Sequence, residues 1–285
     1  MPTVISLINL KGGVGKTTLT VAMAEFMAAE HGLRVLVVDL DPQTNATVSL
    51  IHEQEWRRRN MRGQTVLNVF LDHLSKYRIF SPQEAIIRKV SNIQGGIEGL
   101  DLLPSSIDLI EVHDEFLRAS AALPVNPLHI LGGALRESLP DYDIVLIDCP
   151  PDLGLICQNG LMISNYYIIP TIPDILSTYG IPQIVNRIER LKSETGIPIQ
   201  PLGLVISKFR EQSNTHKAQT PLLRLNAHRD GYQRVLETVI PEGTRAAAVM
   251  DSTLNFTSLH DKYGYDNPYR HYQSLTEEVL SYVRK

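Results

Sequence analysis

Cysteine is scarce: of 285 residues only Cys149 and Cys157 carry thiols. Two thiols cannot build the disulfide framework of a small secreted protein and their spacing matches no metal motif, so the composition fits a reducing cytosol. Long apolar runs are missing as well. None approaches the about 20 residues of a membrane-spanning helix, and the opening Met-Pro-Thr-Val lacks the basic stretch and apolar segment of an export signal. The expectation is a soluble, cytoplasmic protein. Charge of one sign is also lacking: 27 Lys and Arg stand against 31 Asp and Glu, a net −4. No global field therefore draws nucleic acid or anionic lipid, and any such contact must be a local patch. Repeats and low-complexity segments are absent. What remains is a chain long enough to bury a substantial core, read here as one α/β domain spanning 1–285.

Its organising stretch is Asn9-Leu-Lys-Gly-Gly-Val-Gly-Lys-Thr-Thr18, set between an apolar run (Val4 to Ile8) and an alanine-rich helical stretch (Leu19 to Ala29). This is strand, glycine loop, helix. Gly12, Gly13 and Gly15 let the backbone turn tightly with its N–H groups aimed inward, and the helix beginning near Lys16 adds the positive end of its dipole. Such a cradle takes a polyphosphate. In the pattern G-x-x-x-x-G-K-[ST], Lys16 reaches β/γ-phosphate oxygens and Thr17 offers its hydroxyl to Mg²⁺, with Val14 and Thr18 completing the loop. Lys11 is the departure, because the usual loop needs no charge there.

Further strands are expected over Arg34 to Asp39, Leu100 to Leu103, Tyr142 to Asp148, Tyr166 to Ile169 and Leu202 to Ser207. Helices are expected after Ser105 or Ser106, after Pro124 and Pro127 to about Leu139, from Ile175 to Ser193 and from Tyr269 to Val283. Residues 49–99 read as mostly helical, with a basic run at Arg57, Arg58, Arg59 and Arg62 taken as a solvated helix face. Alternating strand and helix predicts a twisted, mostly parallel sheet flanked by helices on both faces, with ligands at the strands' carboxyl ends. Asp148 ends an apolar strand where a Walker B carboxylate holds the Mg²⁺ shell through water. Asp39 and Asp41 alternate with Leu40 and so share one side of their strand's end.

Three motifs, K-G-G-V-G-K-T-T at 11–18, V-D-L-D-P-Q-T-N-A-T at 38–47 and I-V-L-I-D-C-P-P at 144–151, resemble the deviant Walker A ATPases. That family includes ParA partition proteins, MinD division-site proteins and the nitrogenase iron protein. L-D-L-L-P-S-S-I-D-L at 100–109 and T-V-I-P at 238–241 are weaker echoes of ParA. The resemblance implies that Lys11 crosses a dimer interface to the other subunit's phosphates. It also implies that Asp41 positions the attacking water, that Asp39 supports the metal–water shell or only braces it, and that Pro150, Pro151, Asp152 and Gly154 belong to switch II. It sets the base near Ser207, Lys208 and Pro241, positions that fit ordinary strand-end packing equally well.

The cysteine pattern excludes an iron–sulfur member. A MinD-like membrane helix is disfavoured because Glu277 and Glu278 interrupt its polar face, so Leu275, Val279, Leu280 and Val283 are expected to dock on the core. A ParA-like protein of the short type is the resulting expectation. The resemblance then implies an ATP-dependent homodimer that is nucleoid-associated, binds non-specific double-stranded DNA, and is released when a ParB-like partner stimulates its weak ATPase. Candidate DNA contacts are Lys217, Arg224, Arg229, Arg234, Lys262 and Arg270. The rivals are a MinD-like membrane-associated regulator and a metabolic P-loop ligase, whose second-substrate pocket would need its own polar cluster.

Overall fold

A computed structural model describes residues 1–74, 78–112, 115, 126–243, 249–251, 253–265 and 267–284. Its first half runs β1 (Thr3–Leu7), α1 (Lys16–His31), β2 (Val35–Asp39), α2 (Asn45–Leu50), α3 (Glu53–Met61), α4 (Val66–Leu74), α5 (Pro82–Ala85), β3 (Leu100–Leu103) and α6 (Ile130–Leu135). There follow β4 (Ile144–Asp148), α7 (Leu155–Ile163), β5 (Tyr166–Thr171), α8 (Ile175–Tyr179), α9 (Ile181–Thr195), β6 (Gln200–Phe209), α10 (Asn214–Asn226), β7 (Val235–Pro241), α11 (Leu259–Tyr263) and α12 (Asn267–Val283). The seven strands form one sheet in the order β3-β2-β4-β1-β5-β6-β7, and every pairing is parallel.

The central strands β1, β2, β4 and β5 are largely apolar and buried because both faces of the sheet are covered. On one face α1, α11 and α12 pack through Phe26, Met27, Tyr263, Leu275 and Val279; on the other, α4, α6, α7 and α9 pack through Phe70, Leu131, Leu161 and Ile188. The stripe of α12 lies inside: Leu275 and Val279 are fully buried, and the Glu278 carboxylate accepts the backbone N–H groups of Glu237 and Thr238 on β7. The closing helix is therefore docked on the core, as its sequence implied.

Three expectations need correction. The helix expected over Ile175 to Ser193 is two helices separated at Gly180, with Pro182 in the first turn of α9, where its missing N–H costs no helical bond. The edge strand β7 has no counterpart in the sequence reading, since Glu237 and Thr238 interrupt its apolar run. Residues 49–99 are helical only to Ala85, beyond which the backbone is irregular apart from a bridge between Ile87 and Leu102. The basic run is partly offset within α3, where Arg57 pairs with Glu53 and Arg58 and Arg59 share Glu55, while Arg62 is exposed just beyond the helix. Of the helix expected after Ser105 or Ser106, residues 109–112 are helical; Ser106 accepts the Asp108 N–H, while Ser105 instead donates to the Asp41 carbonyl. Pro124 lies outside the described residues.

Candidate functional site

The site forms where β1 lies between β4 and β5, the position at which successive connections leave the sheet in opposite directions. After β1 the chain turns through Gly13 (φ 75°) and Gly15 (φ 90°), left-handed values that glycine adopts without a Cβ clash. Gly15 is the N-cap of α1, and no acidic residue occupies that helix's first turn, so its free N–H groups remain suited to an anion. The Ser207 hydroxyl donates to the Val14 carbonyl at 2.7 Å and pins the loop to the end of β6. Lys16 is buried, its ammonium 3.3 Å from the Asn9 carbonyl.

Asp148 and Asp39 are register partners at the ends of β4 and β2, and both are fully buried. Their environments differ. Asp39 Oδ2 accepts from the Thr47 N–H (2.8 Å) and hydroxyl (2.7 Å), and Oδ1 accepts the Asp41 N–H at 3.1 Å. Both of its oxygens are thus engaged by the protein, which is the geometry of a brace. Asp148 Oδ1 faces the Thr20 hydroxyl at 3.5 Å, but Oδ2 is buried with no partner. Burial drives the Asp148 pKa up to about 7, against the pull of Thr17 and Lys16, and burial beside Asp148 drives Asp39 well upward.

An orphaned buried carboxylate oxygen next to Thr17 is the feature a divalent cation would satisfy, so these residues fit Mg²⁺. Among the described residues no three His, Cys, Asp or Glu side chains form a self-sufficient cage, which suits an ion completed by phosphate oxygens and water. Asp41 is also buried, with Oδ1 accepting the Gln43 N–H at 2.9 Å and its pKa raised by desolvation.

Two adjoining cavities of 350 and 290 Å³ share Gly15, Thr18, Lys208 and Met250 and make one groove. The first end collects Gly12, Gly13, Lys16, Thr17 and Asp41; the second collects Ser207, Ile240, Pro241 and Tyr272. Of the three base-site candidates, Ser207 and Pro241 line the second cavity alone and Lys208 lines both. Sequence reasoning missed Met250 and Tyr272, which arrive from distant segments with no local motif. Tyr272 comes from the closing helix, where its ring packs edge-on against Tyr263 of α11.

Lys11 lies outside this groove. Its ammonium is 3.2 Å from Asp174 Oδ2 and 2.7 Å from the Ser177 hydroxyl, at the start of α8. Leu10 beside it, Ile175, Leu176 and Tyr179 on α8, and Ile110 are exposed apolar residues. Leu10 and Ile110 also line a 560 Å³ cleft against Pro150, Pro151, Asp152 and Gly154. In that loop Pro150 is buried, Pro151 and Asp152 are exposed, and the Gly154 N–H donates to Asp152 at 2.6 Å.

The six basic candidates do not form one class. Lys217, Arg229 and Arg270 are exposed, Arg229 pairing with neighbouring Asp230. Arg224 is bound to Glu237 and to β7 carbonyls, and the Arg234 guanidinium lies 4.2 Å over the Tyr282 ring. Lys262 is a correction: it is fully buried and bonded to Glu25 at 2.7 Å, so it offers nothing to DNA. The missed signal was Glu25 itself, an acid within the otherwise apolar helical stretch, which needs an internal cation.

An AAA domain family model matches residues 2–200. The chain is 30% identical over 284 residues to the chromosome-partitioning ATPase Soj of Thermus thermophilus, covering 99% of this chain and 96% of that protein. Among solved structures, cobyrinic acid a,c-diamide synthase from Mycobacterium smegmatis with bound ATP analog and magnesium superposes with a TM-score of 0.75 at 25% identity, covering 99% of this chain and 95% of that one. An ATP complex of McdA from Cyanothece gives a TM-score of 0.76 at 20% identity over 98% and 96% of the two chains, a likeness of fold.

Proposed function

The chain belongs to the ParA-like partition ATPases of the ParA/MinD family, and from that premise we propose that it is an ATP-switched dimer acting on non-specific DNA. ATP enters the groove with its phosphates on the glycine loop and its base toward Ser207, Lys208, Pro241 and Tyr272. Backbone N–H groups and Lys16 neutralise the phosphates, replacing the Asn9 carbonyl as the partner of the lysine. Thr17 would hold Mg²⁺ directly and Asp148 and Asp41 through water, with Asp39 supporting or bracing that set. The ion supplies charge neutralisation on the β- and γ-phosphates when bound. Asp41 orients the attacking water, and its raised pKa brings it closer to the range of a general base.

Lys11 then serves the other subunit's phosphates in the manner of an arginine finger, which keeps the monomer nearly inactive. The observation that carries this reading is the position of Lys11: outside its own groove, on a surface that exposes Leu10, Ile110, Ile175, Leu176 and Tyr179. Leu10 beside the lysine, and Ile175, Leu176 and Tyr179 on the helix that its partner Asp174 caps, expose apolar side chains of the kind that mark a contact surface. Two-fold pairing doubles each basic position, so Lys217, Arg229 and Arg270 would act in pairs on phosphate. A ParB-like partner stimulates hydrolysis, after which the dimer separates and leaves DNA in the nucleoid.

Sizing with and without a non-hydrolysable ATP analogue, repeated with random-sequence DNA, tests this. The expected result is a nucleotide-dependent dimer and a salt-sensitive DNA shift that needs the dimer; a strict monomer at saturating nucleotide defeats it. The likeness to a structure named as a diamide synthase supports a second reading, an ATP-dependent ligase. That reading requires ATP turnover to depend on a small-molecule acceptor rather than on DNA and a protein activator.

A further inference from the structure

No residue of the stretch 100–109 lines the two cavities of the groove, yet its first serine touches the loop that carries Asp41. β3 and β2 are parallel neighbours, with Leu103 opposite Val38, so the segments that follow them emerge side by side. There Ser105 is fully buried and bonded through all three of its polar groups. Its hydroxyl donates to the Asp41 carbonyl at 2.9 Å, its N–H donates to the Thr47 hydroxyl oxygen at 2.9 Å, and its carbonyl accepts the Trp56 indole N–H at 3.0 Å. The same Thr47 hydroxyl donates to Asp39 at 2.7 Å, so one serine is joined to both acidic positions of the loop. Ser106, next along, accepts the Asp108 N–H and so serves only its own turn.

The turn that receives this hydroxyl is strained. The Thr44 N–H closes onto the same Asp41 carbonyl at 2.9 Å, and Thr44 sits at φ 56°, a left-handed value that is unfavourable for a β-branched residue. As the N-cap of α2, Thr44 makes no side-chain capping bond that would compensate. Strain of this kind persists only where surrounding contacts over-determine the backbone. We propose that Ser105 is the positioning residue of this turn: its hydroxyl holds the strained backbone of residues 41–44, and with it the Asp41 carboxylate, in the geometry that orients water. The inference rests on the role given to Asp41 above and supplies what keeps that carboxylate in place. Because Ser105 is fully buried and Asp41 nearly so, water does not replace the hydroxyl when it is removed.

The test compares wild type with Ser105→Ala, which deletes the hydroxyl but keeps the residue's N–H and carbonyl bonds, and with Ser105→Thr, which restores a hydroxyl. Trp56 is the single tryptophan of the chain, so its emission reports the carbonyl bond and thus the path of this segment. Ser105→Ala should bind a non-hydrolysable ATP analogue within about two-fold of wild type and keep the Trp56 emission maximum, while single-turnover hydrolysis of bound ATP with Mg²⁺ falls on the order of 10- to 100-fold. Ser105→Thr should recover most of that rate. A merely structural serine would instead lower the denaturant midpoint or shift the Trp56 emission with the rate per bound ATP unchanged, and that result overturns the proposal. A folded Ser105→Thr as slow as Ser105→Ala overturns it too; should the added methyl prevent folding, the Ser105→Ala comparison decides alone. Wild-type protein that binds ATP and never hydrolyses it instead defeats the reading of Asp41, and the role of Ser105 falls with it.

Discussion

Asp39 and Asp148 stand opposite one another across β2 and β4, two fully buried carboxyls of which only Asp148 keeps an oxygen without a partner. Burial lifts Asp148 from 3.8 to about 7, so the native state holds this proton more tightly than the unfolded chain does. Stability contributed by that proton is present at low pH and is lost as pH rises across that window. Nucleotide-free protein should therefore gain stability, on the order of 1–2 kcal/mol, between pH 7.5 and 5.5 from the Asp39–Asp148 pair. His271, whose pKa is lowered by burial, acts with the opposite sign. The difference between wild type and Asp148→Asn in urea titrations reports the coupled Asp39–Asp148 pair; parallel pH profiles for the two proteins would refute it.

The two loop lysines should separate cleanly. Lys16→Ala should abolish nucleotide binding, because its ammonium faces the phosphate cradle. Lys11→Ala should bind nucleotide within a few-fold of wild type yet form no ATP-dependent dimer and show basal ATPase lowered by about 10³ or more, the scale of a lost finger. Calorimetry for binding and light scattering for assembly make the comparison. A Lys11→Ala dimer would contradict the assignment.

Lys262 tests core energetics rather than DNA. Lys262→Ala leaves the Glu25 carboxylate buried beside Tyr263 and Ser91 without its cation, at a cost of about 3 kcal/mol or more. Combining it with Glu25→Leu should recover part of that loss, because the unpaired charge goes too. Denaturant midpoints of the single and double variants decide; additive losses would mean that the pair is not coupled.

Exposed basic residues should read out in salt dependence. Lys217→Ala and Arg270→Ala each remove two contacts per dimer, so the slope of log affinity against log salt should fall by about 2 for any residue that touches phosphate. An unchanged slope removes that residue from the interface.

What was legible in the chain was what is local. The glycine loop, Asp39, Asp41 and Asp148 each belong to a short motif at a strand's end, and the strand ladder follows from apolar runs that are buried on both faces. The split at Gly180 was hidden because Gly180 has ordinary right-handed angles and Pro182 is welcome in a first turn. Lys262 was misread because nothing near it in sequence reveals that Glu25, on α1, needs it. Met250, Tyr272 and Asp174 join the site or its rim through long-range packing, which no spacing rule encodes.

The central position of β1 also has a consequence in time. Its two neighbours, β4 and β5, are the strands ending at Asp148 and Thr171, so the amino-terminal segment has no sheet to join while the intervening chain is still being made. During synthesis the first strand must wait, unpaired and apolar, for partners that arrive in the middle of the polypeptide. A ribosome-bound fragment ending before β5 should fail to retain ATP, and one that extends through it is the first in which β1 can have both neighbours.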